Sequence, residues 1–183
     1  MFAVLPGSWK CDLPEDTSIH IRTDREEALD SVRSALAEGE KLFLIGAEGV
    51  SSTNKWIIVS DHIALFGGSP LIGSNREDLG PRFPSLMDLY ITPDGPWEKG
   101  VIGRVPDWRL ATPAELSVMG TDALVSEGVD EAEVAGHGGA GVIFLVRCHS
   151  WDSANSEVSP VREVAKAALD LFNSKFTGGG EEQ

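Results

Sequence analysis

Three places in the sequence carry side chains that could move a proton. Asp61 and His62 are neighbours in the middle of the chain, and His149 is followed by Ser150 near its end. Glu127 follows an apolar segment. Imidazole and carboxylate groups act as general acids and bases when they lie within hydrogen-bond reach of the reacting atom. His149 and Glu127 are therefore the candidate catalytic residues, because either could activate a water molecule.

Other groups of this kind have structural interpretations that compete with a functional one. Neighbouring residues of a strand face opposite sides, so Asp61 and His62 are expected to end a strand rather than to act as a pair. His137 lies in a predicted helix, where a histidine packs or caps. Cys11 and Cys148 stand beside apolar residues and are expected to be small core residues. The histidines and cysteines lack metal-ligand spacing, so no metal site is predicted.

The elements that must position these residues alternate between strand and helix. Apolar runs predict strands at 41–45, 56–60, 100–105, 122–125 and 141–146. Helices are predicted at 129–137 and after two capping boxes, Thr23–Glu26 and Thr112–Glu115. A long loop rich in glycine and proline is predicted over 66–97. This alternation is typical of the α/β class, in which ligands bind beyond the carboxyl ends of the strands.

Composition limits the class of protein further. The chain has 183 residues, 42% hydrophobic and 24% charged, which predicts one globular domain over 1–176 and a disordered tail over 177–183. Its net charge of -14 would repel a phosphate backbone, so nucleic acid is excluded as a partner. No apolar run approaches the ~20 residues of a membrane span, and no signal peptide is recognised. We therefore expect a cytoplasmic protein.

Several segments resemble one known family in the same order along the chain. S-D-H-I-A-L at 60–65, S-P-L-I-G-S-N at 69–75 and G-P-R-F-P-S at 80–85 are similar to the family's D-H-I-N-L, N-P-L-x-G-P-N and G-x-R-F-P-x. T-P-A-E at 112–115, T-D-A-L-V-S at 121–126 and V-A-G-H-G-G at 134–139 resemble F-E-T-P-A-E, G-A-D-A-V-G-M-S and V-A-R-H-A-G. The family is the purine nucleoside phosphorylases of the trimeric type, and the resemblance covers roughly residues 28–175.

The resemblance implies a fold and a reaction. The fold is a three-layer α/β/α sandwich around a central mixed, largely parallel, twisted sheet, usually assembled as a trimer. The reaction is phosphorolysis, in which phosphate attacks the anomeric carbon of a nucleoside and the purine leaves. Phosphate would be a co-substrate only if this reaction survives, and no cofactor is expected. The residues expected to bind a ligand are Gly46, Ala47, His62, Ala111, Ser126, Glu127 and Ser150.

Several of those positions depart from the family pattern. The resemblance places Glu127 where the family has a phosphate-binding serine, and a carboxylate repels phosphate. Ala111 replaces a glutamate that recognises the base, and Ser150 replaces an asparagine that holds the purine. Gly46 replaces the first asparagine of N-A-A-G. The resemblance does not include the phosphate-binding loop that the family has near its amino terminus. Further departures from the family pattern are expected at Ala64, Leu79 and Ser156.

The sequence therefore predicts a phosphorylase-like protein that binds a nucleoside, a purine base or a related small molecule, with phosphorolysis impaired or lost. Two alternatives stay open. A nucleoside phosphorylase or hydrolase with a rebuilt site could use His149 or Glu127 on water. A non-catalytic subunit retained for assembly would belong to a different class, and a homo-oligomer, favoured as a trimer by the resemblance, is expected in any case.

Overall fold

The structure is a computed structural model that describes residues 2–12, 19–152, 163–164, 166–168 and 170. Its strands are β1 (Phe2–Pro6), β2 (Ile19–Arg22), β3 (Leu42–Ser51), β4 (Lys55–Ile63), β5 (Glu98–Arg104), β6 (Ala123–Val125) and β7 (Gly141–Ser150). Its helices are α1 (Arg25–Ala37), α2 (Pro113–Met119) and α3 (Val129–His137), and the described residues of 163–170 are also helical. Two sequence predictions, the tail at 177–183 and the departure at Ser156, lie outside the described residues.

The strands form a mixed sheet that closes on itself. Its strand order is β2-β1-β3-β6-β5-β4-β7. Because β3 also pairs with β7, the five strands from β3 to β7 in this order form a closed barrel. Among the described strands, β3–β6 and β4–β7 pair antiparallel and the remaining neighbours pair parallel. The α/β class and the largely parallel mixed sheet are therefore confirmed.

The three-layer sandwich expected from the sequence is not confirmed, because five strands make a closed barrel. β3 and β7 each have ten residues and pair along their whole length, although the sequence predicted only 41–45 and 141–146. The second half of β3 also pairs with β6 through Gly49 and Val50. An irregularity between Val59 and Asp61 shifts the register of β4, and such irregularities bend a strand and favour closure.

The helices pack on this barrel through small and branched apolar residues. One buried cluster joins Ala28, Leu29 and Val32 of α1 to Val134 of α3 and to Val146 of β7. α1 and α3 therefore lie side by side on one wall of the barrel. None of the described helices is long and apolar enough to cross a membrane.

Side-chain caps begin both α1 and α2, but only the cap of α2 is the residue that the sequence predicted. Thr112 caps α2 as predicted, because its hydroxyl accepts from the Glu115 backbone N–H and the Glu115 carboxylate accepts from the Thr112 N–H. The predicted Thr23–Glu26 box is wrong by one residue. Asp24 is the cap of α1, and its carboxylate accepts from the Glu27 N–H at 2.9 Å. Aspartate caps a helix at least as well as threonine, so Asp24 rather than Thr23 is the N-cap.

The long loop predicted at 66–97 is present. Residues 64–97 contain no helix or strand, apart from an isolated bridge between Tyr90 and Val142. The loop packs against α3, where Gly80 approaches the His137 carbonyl so closely that a side chain at 80 would meet it at 1.8 Å. The loop is therefore fixed to α3 by close packing at a glycine.

Candidate functional site

The residues predicted to act on a ligand fall into two groups in the structure. His149, Ser150 and Ala111 lie around the ends of β7 and the start of α2. His62, Ser126 and Glu127 lie near the amino end of α3. The two candidate catalytic residues, His149 and Glu127, therefore belong to different groups, and each group is described in turn.

A buried carboxylate organises the first group. Glu48, on β3, is only 9% exposed. Its Oε1 accepts hydrogen bonds from the Trp9 Nε1 at 2.7 Å and from the Ser8 hydroxyl at 2.9 Å. Its Oε2 lies 2.6 Å from the Nε2 of His149, and the Arg147 guanidinium lies 4.0 Å from Oε1. Both carboxylate oxygens are therefore engaged.

These partners keep Glu48 ionised. Burial alone would raise the pKa of this carboxyl, but hydrogen bonds from His149, Trp9 and Ser8 outweigh burial and lower its pKa. An ionised carboxylate only accepts hydrogen bonds, so the His149 Nε2 must carry the proton of the shared bond. In the neutral imidazole this leaves Nδ1 as the acceptor, and a carboxylate behind a histidine fixes its tautomer in this way.

Aromatic packing holds the His149 ring from another side. The ring stacks on the Trp108 indole with centroids 5.3 Å apart and an angle of 9° between the planes. The Arg109 guanidinium lies 4.9 Å from the centroid of the Trp108 ring. The His149 side chain is nevertheless 38% exposed. His149 is thus oriented by Glu48 and Trp108 while part of its ring faces solvent.

Ala111 and Ser150 border this histidine but are already engaged within the protein. The Ala111 carbonyl accepts from the Trp151 Nε1 at 2.9 Å. The Ser150 N–H donates to the Asn54 amide oxygen at 2.6 Å, and its hydroxyl accepts from the Asp152 N–H at 3.1 Å. A ligand contact by either residue remains a prediction, since Ser150 must share its hydroxyl to make one.

Gly46 and Ala47 serve packing in the structure. A side chain at Gly46 would meet the Trp9 ring at 2.5 Å and Leu5 at 2.8 Å, so glycine is what lets Trp9 approach β3. Ala47 is fully buried in the core. Contact of either residue with a ligand also remains a prediction.

The second group surrounds Arg22, at the carboxyl end of β2. Its guanidinium donates to the Glu131 carboxylate at 2.5 Å and to the Gly46 carbonyl at 3.0 Å. Glu127 lies 3.5 Å away and is one third exposed, whereas Arg22 is buried. The candidate Glu127 therefore forms an ion pair with a cation that a second carboxylate already neutralises. Ser126 precedes it and is half-buried.

Two further networks involve α3, one around Asp130 and one around His62. The buried Asp130 pairs with Arg25 at 2.5 Å and Arg104 at 2.7 Å. Burial raises the pKa of Asp130 despite these two cations. The carboxylates of this helix are thus held against a row of arginines.

The His62 imidazole does not pair with the Asp61 carboxylate, which accepts from the His62 backbone N–H at 2.8 Å, in agreement with the strand-end interpretation. Its Nδ1 lies 2.7 Å from the Tyr90 hydroxyl and its Nε2 lies 3.6 Å from the Glu133 carboxylate. Burial alone would raise the pKa of Glu133, but hydrogen bonds from His62 and Ser69 lower it. His62 therefore joins β4 to the long loop and to α3.

The cysteine and metal-ligand candidates can also be placed. Cys148 is fully buried, and burial raises the pKa of its thiol to about 12, so it is a core residue. Among the described residues no cluster of three or more histidines, cysteines, aspartates and glutamates could hold a metal ion.

Sequence reasoning missed the aromatic partners of the site. Trp9 and Trp108 lie 39 residues before Glu48 and 41 residues before His149, and no local pattern links them to either residue. A signal was available for Glu48 alone, which follows the apolar run at 41–45 and lies between Ala47 and Gly49.

Comparison with known proteins gives one consistent result. The chain is 38% identical over 136 residues to purine nucleoside phosphorylase 1 of Bacillus subtilis, with 62% of this chain and 50% of that protein covered. It is 33% identical over 132 residues to purine nucleoside phosphorylase 1 of Geobacillus stearothermophilus, with 62% and 48% covered. The chain spans about half the length of these relatives. No protein-family model matches it.

Solved structures agree on the fold. A Schistosoma mansoni purine nucleoside phosphorylase with a monocyclic inhibitor superposes with a TM-score of 0.70 at 19% identity, covering 99% of this chain and 91% of that one. A structure of the same enzyme with inosine gives 0.65 at 18% identity, covering 100% and 91%. The chain therefore resembles bacterial purine nucleoside phosphorylases in sequence over 62% of its length, and it shares its fold with solved purine nucleoside phosphorylases.

Proposed function

We propose that this chain binds a purine base or a nucleoside beside Glu48 and His149, with phosphorolysis impaired or lost. The observation that carries the proposal is the 2.6 Å contact between the Glu48 carboxylate and the His149 imidazole. Ser150 follows His149 on β7, and the Ala111 N–H donates to the carbonyl of Trp108, on which His149 stacks. The family resemblance implies recognition of the base at Ala111 and Ser150. The relatives in solved complexes are purine nucleoside phosphorylases bound to guanosine, hypoxanthine or inosine.

The chemistry of the pair suits a heterocycle. A neutral imidazole whose Nε2 donates to Glu48 offers an acceptor at Nδ1, and a purine base offers N–H donors. The Trp108 ring extends an aromatic surface beside the histidine, and aromatic side chains stack on bases regardless of their sequence. A base would therefore gain one directed hydrogen bond and a flat apolar contact.

The charges around Glu127 support the loss of phosphorolysis. Four carboxylates, of Glu127, Asp130, Glu131 and Glu133, lie among three guanidiniums, of Arg22, Arg25 and Arg104. An oxyanion placed 4 Å from one carboxylate meets a repulsion of about 4 kcal/mol at an effective dielectric constant near 20. The four carboxylates outnumber the three guanidiniums, so the net charge of this region disfavours phosphate.

One alternative activity is supported by the same pair. A nucleoside hydrolase needs a general base that takes a proton from water, and a histidine fixed by a carboxylate is suited to that task. His149 would accept the proton at Nδ1 while Glu48 stabilises the imidazolium. This alternative predicts release of free base without phosphate.

Assembly with further copies is supported by exposed apolar side chains on the long loop. Leu65, Phe66, Ile72, Phe83 and Met87 are between 45% and 92% exposed. Contiguous exposed apolar surface usually marks an interface. We propose that this loop lies in a homo-oligomer, for which the family resemblance favours a trimer, and that the protein is cytoplasmic.

The test combines binding and turnover on the full chain. Calorimetry with hypoxanthine and inosine measures binding, and chromatography measures base release with and without phosphate. Binding without release supports the proposal, and phosphate-independent release supports the hydrolase. Phosphate-dependent release would show a working phosphorylase, and absence of binding would remove the binding function.

A pair of variants ties the result to the site. His149→Gln should weaken binding about tenfold or more by removing the oriented acceptor and the stacked ring. Glu38→Gln, on the exposed end of α1, should bind as the parent does. Equal binding by parent and His149→Gln would place the ligand elsewhere.

A further inference from the structure

A second, separate site is suggested by an arginine-lined cavity between α1, the long loop and α3. Its polar lining comes from Arg33, Ser74, Asn75, Arg76, Arg82 and His137. The cavity is partly open, with a volume of about 30 Å³, and about half of this is enough for one water molecule. Three guanidiniums around one small cavity are unexpected in a chain whose net charge is -14.

The carboxylates near these arginines do not line the cavity. Arg76 is held by Asp78 through two hydrogen bonds of 2.9 and 2.7 Å, and Arg33 by Asp30 at 2.8 Å. For Arg82 no carboxylate lies within 4.0 Å among the described residues, and its guanidinium lies 5.8 Å from the Phe83 ring centroid. The three guanidiniums and the two carboxylates that hold them therefore leave one positive charge without a partner among these five groups.

The wall of the cavity is preorganised. His137 is 5% exposed, and its Nε2 lies 3.1 Å from the Asn75 amide oxygen. The Asn75 amide nitrogen donates to the Gly80 carbonyl at 3.3 Å, which leaves its oxygen to accept from His137. Close packing of Gly80 on the His137 carbonyl fixes the loop that carries Arg76 and Arg82. Because the loop is already ordered, the entropic cost of binding an anion there is lower.

We propose that this cavity binds a small tetrahedral oxyanion, either free phosphate or sulfate or the phosphoryl end of a larger molecule. A guanidinium presents paired N–H donors that match two oxygens of such an anion. The cavity is small and partly open to solvent, which suits a compact anion or the phosphoryl end of a larger molecule. The site contains neither Glu48 nor His149, so it does not depend on the proposed purine-binding function.

The test uses the full chain in a chloride buffer without phosphate. Titration with inorganic phosphate, followed by calorimetry and ³¹P line broadening, measures the free anion, and ribose 5-phosphate measures a phosphoryl group on a sugar. We expect saturable phosphate binding that sulfate displaces. Tighter binding of the sugar phosphate would assign the site to a phosphoryl group, and tighter binding of phosphate to the free ion.

Variants decide where the anion binds. Arg82→Gln and Arg33→Gln should each weaken phosphate binding about tenfold, since each removes charge-assisted hydrogen bonds. Lys99→Gln removes one charge from an exposed position on β5 and should leave binding unchanged. Circular dichroism of each variant checks folding. Lack of saturable binding, or equal weakening by Lys99→Gln, would overturn the proposal.

Discussion

The Glu48 carboxylate and the His149 imidazole lie 2.6 Å apart, although 101 residues separate them in the chain. The register explains their meeting, because β3 and β7 pair Glu48 with Arg147. Alternate residues of a strand share a face, so His149 follows Arg147 on the same side of the sheet. A shift of one residue between these strands would turn the imidazole to the opposite face.

Glu48→Gln should lower the free energy of unfolding by about 1–3 kcal/mol near pH 7, since it removes the charge that three donors surround. The pKa of Glu48 is lowered in the folded protein, so its stabilisation is present above the ordinary glutamate pKa and is lost as pH falls through the lowered value. Urea unfolding of both proteins across this acid range should show the difference between them shrinking. A difference independent of pH would contradict this assignment.

Gly46→Asn should destabilise the protein rather than restore the asparagine that the family has at this position. The new side chain would meet Trp9 at 2.5 Å and Leu5 at 2.8 Å, and overpacking typically costs about 1–3 kcal/mol. Gly68→Ala is the matched control, because its nearest neighbouring atom lies 4.0 Å away. Thermal unfolding should show a lower Tm only for Gly46→Asn. An unchanged Tm would mean that Trp9 can move aside.

Arg104→Met should cost about 1.5–3 kcal/mol, because it removes charge-assisted hydrogen bonds to the buried Asp130 and leaves Arg25 as the cation paired with it. The double variant Arg104→Met with Asp130→Asn also removes the buried carboxylate charge and should recover part of that loss. Burial raises the pKa of Asp130, so the penalty should shrink at acid pH, where the carboxyl is protonated. Urea unfolding at two pH values measures each effect. Failure of the double variant to recover stability would argue against a charge penalty.

Phe83→Asp or Met87→Asp should reduce the oligomer to smaller species, because each places a charge in the apolar surface proposed to lie between copies. Val118→Asp is the matched control, since Val118 is 87% exposed but lies on α2, outside the loop. Light scattering coupled to size-exclusion chromatography gives the mass of each protein. A parent protein that is monomeric at high concentration would remove the assembly proposal.

The sequence by itself determined the features whose causes are local. The α3 helix was predicted at 129–137 and begins and ends there. The Thr112–Glu115 capping box needs only residues three apart, and it forms as predicted. The apolar runs located five strands, but β1 was not predicted, because five residues at the start of the chain carry too little pattern.

Only the tertiary structure decided how these elements meet. The barrel closes because β3 and β7 extend past their apolar runs and pair over ten residues, which no local pattern encodes. Closure and register then bring Trp9, Glu48 and His149 together from separate parts of the chain. The sequence determined which chemical groups are present, whereas strand register decided which of them are partners. The reason is that hydrogen bonds and stacking act only over a few ångströms.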